Sequence, residues 1–151
     1  MSPSTTMSGR TTWLIIWTAI TTAPLIYALI ASTALPGVPP SPMLGFLRGV
    51  LLAASAVAAA LGTLLLSRAS RVNGNLAPPA QFQLRSVTAM ALFESIAVFG
   101  YVLSFQGAPP SQIWLWSGAS LVLMVAVALP KGLGYWSEWE QAADRGPAER
   151  P

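Results

Sequence analysis

Residues 89–100 read Ala89-Met90-Ala91-Leu92-Phe93-Glu94-Ser95-Ile96-Ala97-Val98-Phe99-Gly100, one carboxylate set in an apolar run. Glu94 is the first acid of the chain. The ninety-three residues before it hold no Asp or Glu, and the other four acids, Glu138, Glu140, Asp144 and Glu149, all lie towards the C-terminus. It is therefore not a sample of an acidic surface. The apolar run extends from 84 to 105, with Arg85 its only other charged residue. At about 1.5 Å per helical residue, that length crosses a hydrocarbon layer of ~30 Å.

Outward from this segment lie three more runs of similar length, at 12–31, 43–66 and 113–129. Of the 151 residues, 54% are hydrophobic and 9% charged, against roughly 25% charged in soluble domains. Such a chain lacks the polar residues to cover a soluble core. The expected fold is all-α, a four-transmembrane-helix bundle forming a single integral membrane domain over 1–151. The run behind Arg10 exceeds the roughly 7–15 apolar residues of a secretory signal core, so a retained first helix is expected. The connections are marked by breakers: Pro36, Gly37, Pro39, Pro40 and Pro42, then Asn73-Gly74-Asn75 with Pro78-Pro79, then Gly107 with Pro109-Pro110. Pro24 is expected to kink the first helix.

Basic residues set an expected orientation. With four spans the termini share a side with the central loop. That side carries Arg10, Arg68, Arg71, Arg85, Lys131, Arg145 and Arg150, and the other only Arg48. A split of seven to one places both termini in the cytoplasm of a bacterial inner-membrane protein. Trp13, Phe82, Trp136 and Trp139 on one side, and Phe46, Phe105, Trp114 and Trp116 on the other, read as interfacial anchors. The tail 132–151 reads as a short helix over 132–141 lying among the headgroups, followed by a disordered end from Arg145.

Several function classes fall away. The chain has no Cys and no His, which removes disulfides, thiolate chemistry and imidazole-held metals. No cofactor or metal site is expected. The formal charge of +3 is spread over helix ends, which speaks against a nucleic-acid partner. No second acid or base shares the membrane depth of Glu94, so enzymatic activity is not expected. The expected partners are the lipid bilayer and either a larger membrane complex or further copies of the chain.

Glu94 follows Arg85 by nine residues, which sets it about 13 Å along the helix, near the bilayer midplane. A charged carboxylate there costs about 2.5–3.5 kcal/mol on insertion scales. No Lys or Arg lies at that depth, so the expectation is an unpaired carboxyl, protonated much of the time and acting as a donor. Small Ala91 and Ala97 flank it and admit a close neighbour. The second span is the expected neighbour, because Ala54, Ala58 and Gly62 repeat at i+4, as do Ser55, Ala59 and Thr63. Glu94, Ser95 and Ser55 form the candidate proton site, and Ala54, Ala58, Gly62, Ala91 and Ala97 the candidate packing positions. Ser55 also has a silent alternative, donation to its own i−4 carbonyl.

A small-residue helix, a basic loop and then Ala91-Leu92-x-Glu94 with Phe99-Gly100 resembles the c-subunit hairpin of rotary ATP synthases over about residues 48–105. The resemblance implies that Glu94 binds a transported ion at mid-membrane. That family's sodium-binding rings set a glutamine on the inner helix. Residues 43–67 contain none, and Phe99 stands where tyrosine is common, so the implied ion is a proton. The inner-helix glycine repeat of that family is replaced here by alanine, and two further spans flank the hairpin, which argues against a working rotor subunit. The chain is similar instead to small bacterial four-helix membrane proteins with such a central hairpin. Two readings follow, a proton-exchanging carboxyl in a larger complex and a purely structural subunit. A third, small multidrug exchange, fits the size and span number, but that family carries its glutamate in the first helix.

Overall fold

The computed structural model describes residues 8–34, 38–72 and 74–145. The breakers Pro36, Gly37 and Asn73, and the expected disorder over 146–151, lie outside the described residues. The elements are α1 (Gly9–Ala34), α2 (Leu44–Ser67), β1 (Arg71–Val72), β2 (Asn75–Leu76), α3 (Pro79–Phe105), α4 (Pro110–Leu123), a π-helical turn (Met124–Ala128) and α5 (Leu129–Asp144). α4, the π turn and α5 form one continuous helix. With α1, α2 and α3 it makes four helices long and apolar enough to cross a membrane. This is the architecture of a multi-pass membrane protein.

Local chemistry explains the boundaries. α3 and α4 each begin on a proline, Pro79 and Pro110, where the missing amide hydrogen has no helical partner to lose. α3 ends into Gly107, whose φ of +79° favours glycine. The same turn is fixed by the Ser41 amide, which donates to the Gln106 carbonyl at 2.9 Å. α1 runs on through Pro24 without interruption. The expectation of a purely helical chain needs one addition. The α2–α3 connection forms a small antiparallel ladder, with Arg71 opposite Leu76 and Val72 opposite Asn75. Gly74, at φ +83°, makes the turn possible. Arg85 donates back to the Arg68 carbonyl at 3.0 Å, tying α3 to the end of α2.

α3 is the central helix. It packs against α1, α2 and α4, whereas α2 packs chiefly on α3. The middle of the core is Leu66, Ala89, Met90, Phe93, Met124 and Ala128. At the end that carries the ladder, Trp13, Phe82, Tyr135 and Trp136 are buried together. Trp13, Phe82 and Trp136, expected as interfacial anchors, are instead enclosed by the protein itself. Phe82 stacks on Tyr135 with centroids 3.7 Å apart, and the Trp13 indole donates to Ser86 Oγ at 3.0 Å. The four rings pack on one another, Trp13 and Tyr135 donate to neighbours outside the cluster, and Trp136 Nε1 is enclosed without a partner among the described residues. Phe46, Phe105 and Trp114 at the opposite end are exposed, as anchors require.

The tail also differs from expectation. A separate helix over 132–141 is replaced by α5, which begins at Leu129 and grows directly out of α4. Pro130 cannot donate and crowds the carbonyl four residues back. The π turn before it takes up the mismatch. The Met124 carbonyl then accepts from the Leu129 amide and from the Trp17 indole, the latter at 3.3 Å. Tyr135 and Trp136 of α5 face the bundle, and the Tyr135 hydroxyl donates to the Ala77 carbonyl at 2.7 Å. Glu138 pairs with Arg71 at 2.8 Å and Glu140 with Arg10 at 3.4 Å. Both pairs are exposed, so each contributes at most about 1 kcal/mol. Burial of the aromatic residues is the larger hold on α5.

Candidate functional site

Glu94 lies near the middle of α3, fifteen residues beyond Pro79. It is half-buried. Its partner comes from α1. The Tyr27 hydroxyl donates to Glu94 Oε1 at 2.9 Å. The sequence offers no cation for this carboxyl, and the structure supplies a neutral phenol, so the expected unpaired side chain is a paired one. Side chains on a helix lean towards its N-terminus. Tyr27, late in α1, thus reaches back to the level of Glu94. Tyr101, two turns beyond Glu94 on the same face of α3, sits beside Tyr27 with ring centroids 5.7 Å apart, and Phe105 meets Tyr101 edge-on at 5.0 Å. Tyr101 also packs on Ala28, Ala31 and Ile113, which wedges the aromatic pair between α1, α3 and α4.

The two serines of the candidate site go elsewhere. Ser95 donates to the Leu92 carbonyl at 2.7 Å and Ser55 to the Leu51 carbonyl at 2.8 Å. Both hydroxyls close on their own helices. For Ser55 the geometry is clear: it lines a cleft between α2 and α4 together with Ile96. Ile96 is two residues after Glu94, about 200° around α3 at 3.6 residues per turn. The body of α3 therefore stands between Ser55 and the carboxyl. Of the packing positions, Ala58, Gly62 and Ala97 are buried, Ala54 is half-buried and Ala91 is exposed. Gly62 meets the ring of Phe93, where a Cβ would come within 2.6 Å of a ring carbon.

Tyr27 is the residue that sequence reasoning missed. It is the only tyrosine of the first span and lies three residues after Pro24. A phenol in an apolar span needs an acceptor, as a buried hydroxyl does anywhere. That requirement was a legible signal. On α4, the hydroxyls of Ser117 and Ser120 are enclosed without a hydrogen-bond partner among the described residues. No group of three or more His, Cys, Asp or Glu side chains that could hold a metal is found among the described residues.

Chemically, the arrangement is a carboxyl held at one oxygen by a phenol. With Oε1 accepting from Tyr27, Oε2, which has no hydrogen-bond partner among the described residues, can bind a proton or a second donor. Comparison of the chain with family models, with curated proteins and with solved structures finds no match.

Proposed function

We propose that Glu94 takes up and releases a proton inside a four-span membrane bundle, as part of a larger membrane complex, with Tyr27 holding the carboxyl in place. The observation that carries this reading is the Tyr27–Glu94 hydrogen bond of 2.9 Å at mid-helix. An intramembrane ionisable residue is costly to keep and marks a functional site by default. Here its orientation is set from a neighbouring span. The resemblance to the c-subunit hairpin supports the same chemistry. The distribution of Arg and Lys supports termini in the cytoplasm and a bacterial inner membrane.

A carboxyl-specific carbodiimide tests this, because it reacts with protonated carboxyls in apolar surroundings. In detergent or vesicles, Glu94 is expected to be modified at low pH and protected at high pH. Glu94→Gln abolishes the modification without unfolding the protein. A Glu94 that is inert at every pH overturns the proposal.

The same hydrogen bond supports a second reading, in which Glu94 pins α1 to α3 and binds no exchanging proton. Glu94→Gln keeps an acceptor for Tyr27, whereas Glu94→Leu and Tyr27→Phe each remove one side of the bond. Intramembrane hydrogen bonds average about 0.6 kcal/mol and reach about 1.7 kcal/mol. The expected coupling in a Tyr27→Phe, Glu94→Leu double-mutant cycle is therefore about 1 kcal/mol, read from unfolding in mixed micelles. Coupling with pH-independent labelling favours the pin, and coupling with pH-dependent labelling favours proton exchange.

A further inference from the structure

We infer that the cleft between α2 and α4 binds one phospholipid with a net negative, hydroxyl-bearing headgroup of the phosphatidylglycerol type. This site is separate from Glu94 and does not rest on the function proposed above. α2 and α4 both pack on α3, and a cleft of about 390 Å³ remains between them. Its floor includes Ile96, and Leu52, Leu115 and Ala119 form apolar walls. Its polar end holds Arg48, four residues into α2, and Gln112, two residues into α4. These positions are about 6 and 3 Å below their helix starts, at headgroup level. Arg48 Nε and Gln112 Oε1 are both enclosed and lack any hydrogen-bond partner among the described residues.

Arg48 is half-buried with its Nε enclosed and unpartnered, a setting that favours an anion, and no acid among the described residues lines the cleft. The acids of the chain are Glu94, on the far side of α3 from Ile96, and Glu138, Glu140, Asp144 and Glu149 towards the C-terminus. A second copy in the same orientation brings only another Arg48. With no acid lining the cleft among the described residues, the counter-charge we infer is one from outside the protein. At headgroup depth the abundant anion is a phosphodiester, which suits the planar donor fork of arginine. The Gln112 amide both donates and accepts, so it matches a headgroup hydroxyl, which a choline lacks. From Arg48 to Ser55 the cleft follows about 10 Å of helix into the apolar layer. That depth receives an acyl chain, which a free phosphate does not have.

Native mass spectrometry of the full chain in mild detergent tests the site, with phosphatidylglycerol and phosphatidylcholine of identical acyl chains added in turn. One phosphatidylglycerol per chain is expected, retained at least about tenfold more tightly than phosphatidylcholine, whose choline cation offsets the phosphate charge facing Arg48 and offers Gln112 no hydroxyl. Arg48→Gln is expected to lose that preference. Ala119→Phe, which fills the cleft and leaves Arg48 intact, is expected to weaken both lipids. Thermal unfolding of lipid-free protein checks that each variant folds, and Leu52→Phe replaces Ala119→Phe if the latter does not. Equal retention of the two lipids, undiminished binding by Arg48→Gln, or displacement by glycerol phosphate alone overturns the inference.

Discussion

Replacing Gly132 with alanine is expected to destabilise the protein by about 2–4 kcal/mol, combining the cost of overpacking with the loss of one buried hydrogen bond. Gly132 lies in the first turns of α5, and a Cβ built there runs into the ring of Trp13. The indole has nowhere to go. Trp13 is fully enclosed, sits 6.3 Å from the Phe82 ring and donates to Ser86. Either that bond breaks or α5 lifts away from the end of the bundle. Thermal unfolding in detergent reads the loss of stability, and tryptophan fluorescence reads the change around Trp13. Trp13→Phe should partly rescue Gly132→Ala, because the smaller ring clears the added methyl although Trp13→Phe alone loses the Ser86 bond. Strictly additive losses in the two variants would show that the contact does not set the position of α5.

The spans themselves were legible because apolar length is a local property of the chain. The runs at 43–66 and 84–105 coincide closely with Leu44–Ser67 and Pro79–Phe105. The difference at the start of α3 has a simple cause. Pro79-Ala80-Gln81 is too polar to count as span, yet Pro79 is well suited to a first helical position. The tail was less legible, because a proline at 130 ordinarily ends a helix. A π turn that absorbs the lost hydrogen bond depends on tertiary context, here including Trp17 from α1. The aromatic residues show the same limit. Position along a span gives depth in the membrane, but only the packing of four helices decides whether Trp13 faces lipid or Phe82.

At the site, the sequence identified the unusual residue and not its surroundings. Glu94 stands out by composition alone. Its partner depends on which neighbour of α3 meets which face, and the small-residue stripe of α2 drew attention to the wrong side. The buried face of α2 takes Ala58 and Gly62 from one small-residue repeat and Ser55 from the other, whereas Thr63 is exposed. That face serves close approach to α3 at Phe93, about 100° around the helix from Glu94. The face that bears Glu94 and Tyr101 turns to α1, where Tyr27 waits with a phenol that needs an acceptor.

That division of α3 into two faces leads to the second large effect. Gly62→Leu is expected to cost about 2–3 kcal/mol, the upper part of the range for overpacking. Phe93 is fully enclosed among Leu66, Ala89, Met90, Met124 and Ala128, so its ring cannot yield to a new side chain at 62. Since α2 packs chiefly on α3, no other neighbour would hold it in register. Gly49→Leu provides the control on the same helix, because a Cβ at Gly49 meets nothing within 4 Å. It should leave stability unchanged or raise it slightly, as glycine is a poor helix former. Unfolding in mixed micelles compares the two, and equal effects would mean that α2 is not seated through Gly62. Labelling of Glu94 by carbodiimide adds a sharper test. If the carboxyl is organised from α1, loosening α2 by Gly62→Leu leaves its pH profile in place, whereas Tyr27→Phe shifts it. A profile that follows Gly62→Leu and ignores Tyr27→Phe would return the site to the α2–α3 hairpin.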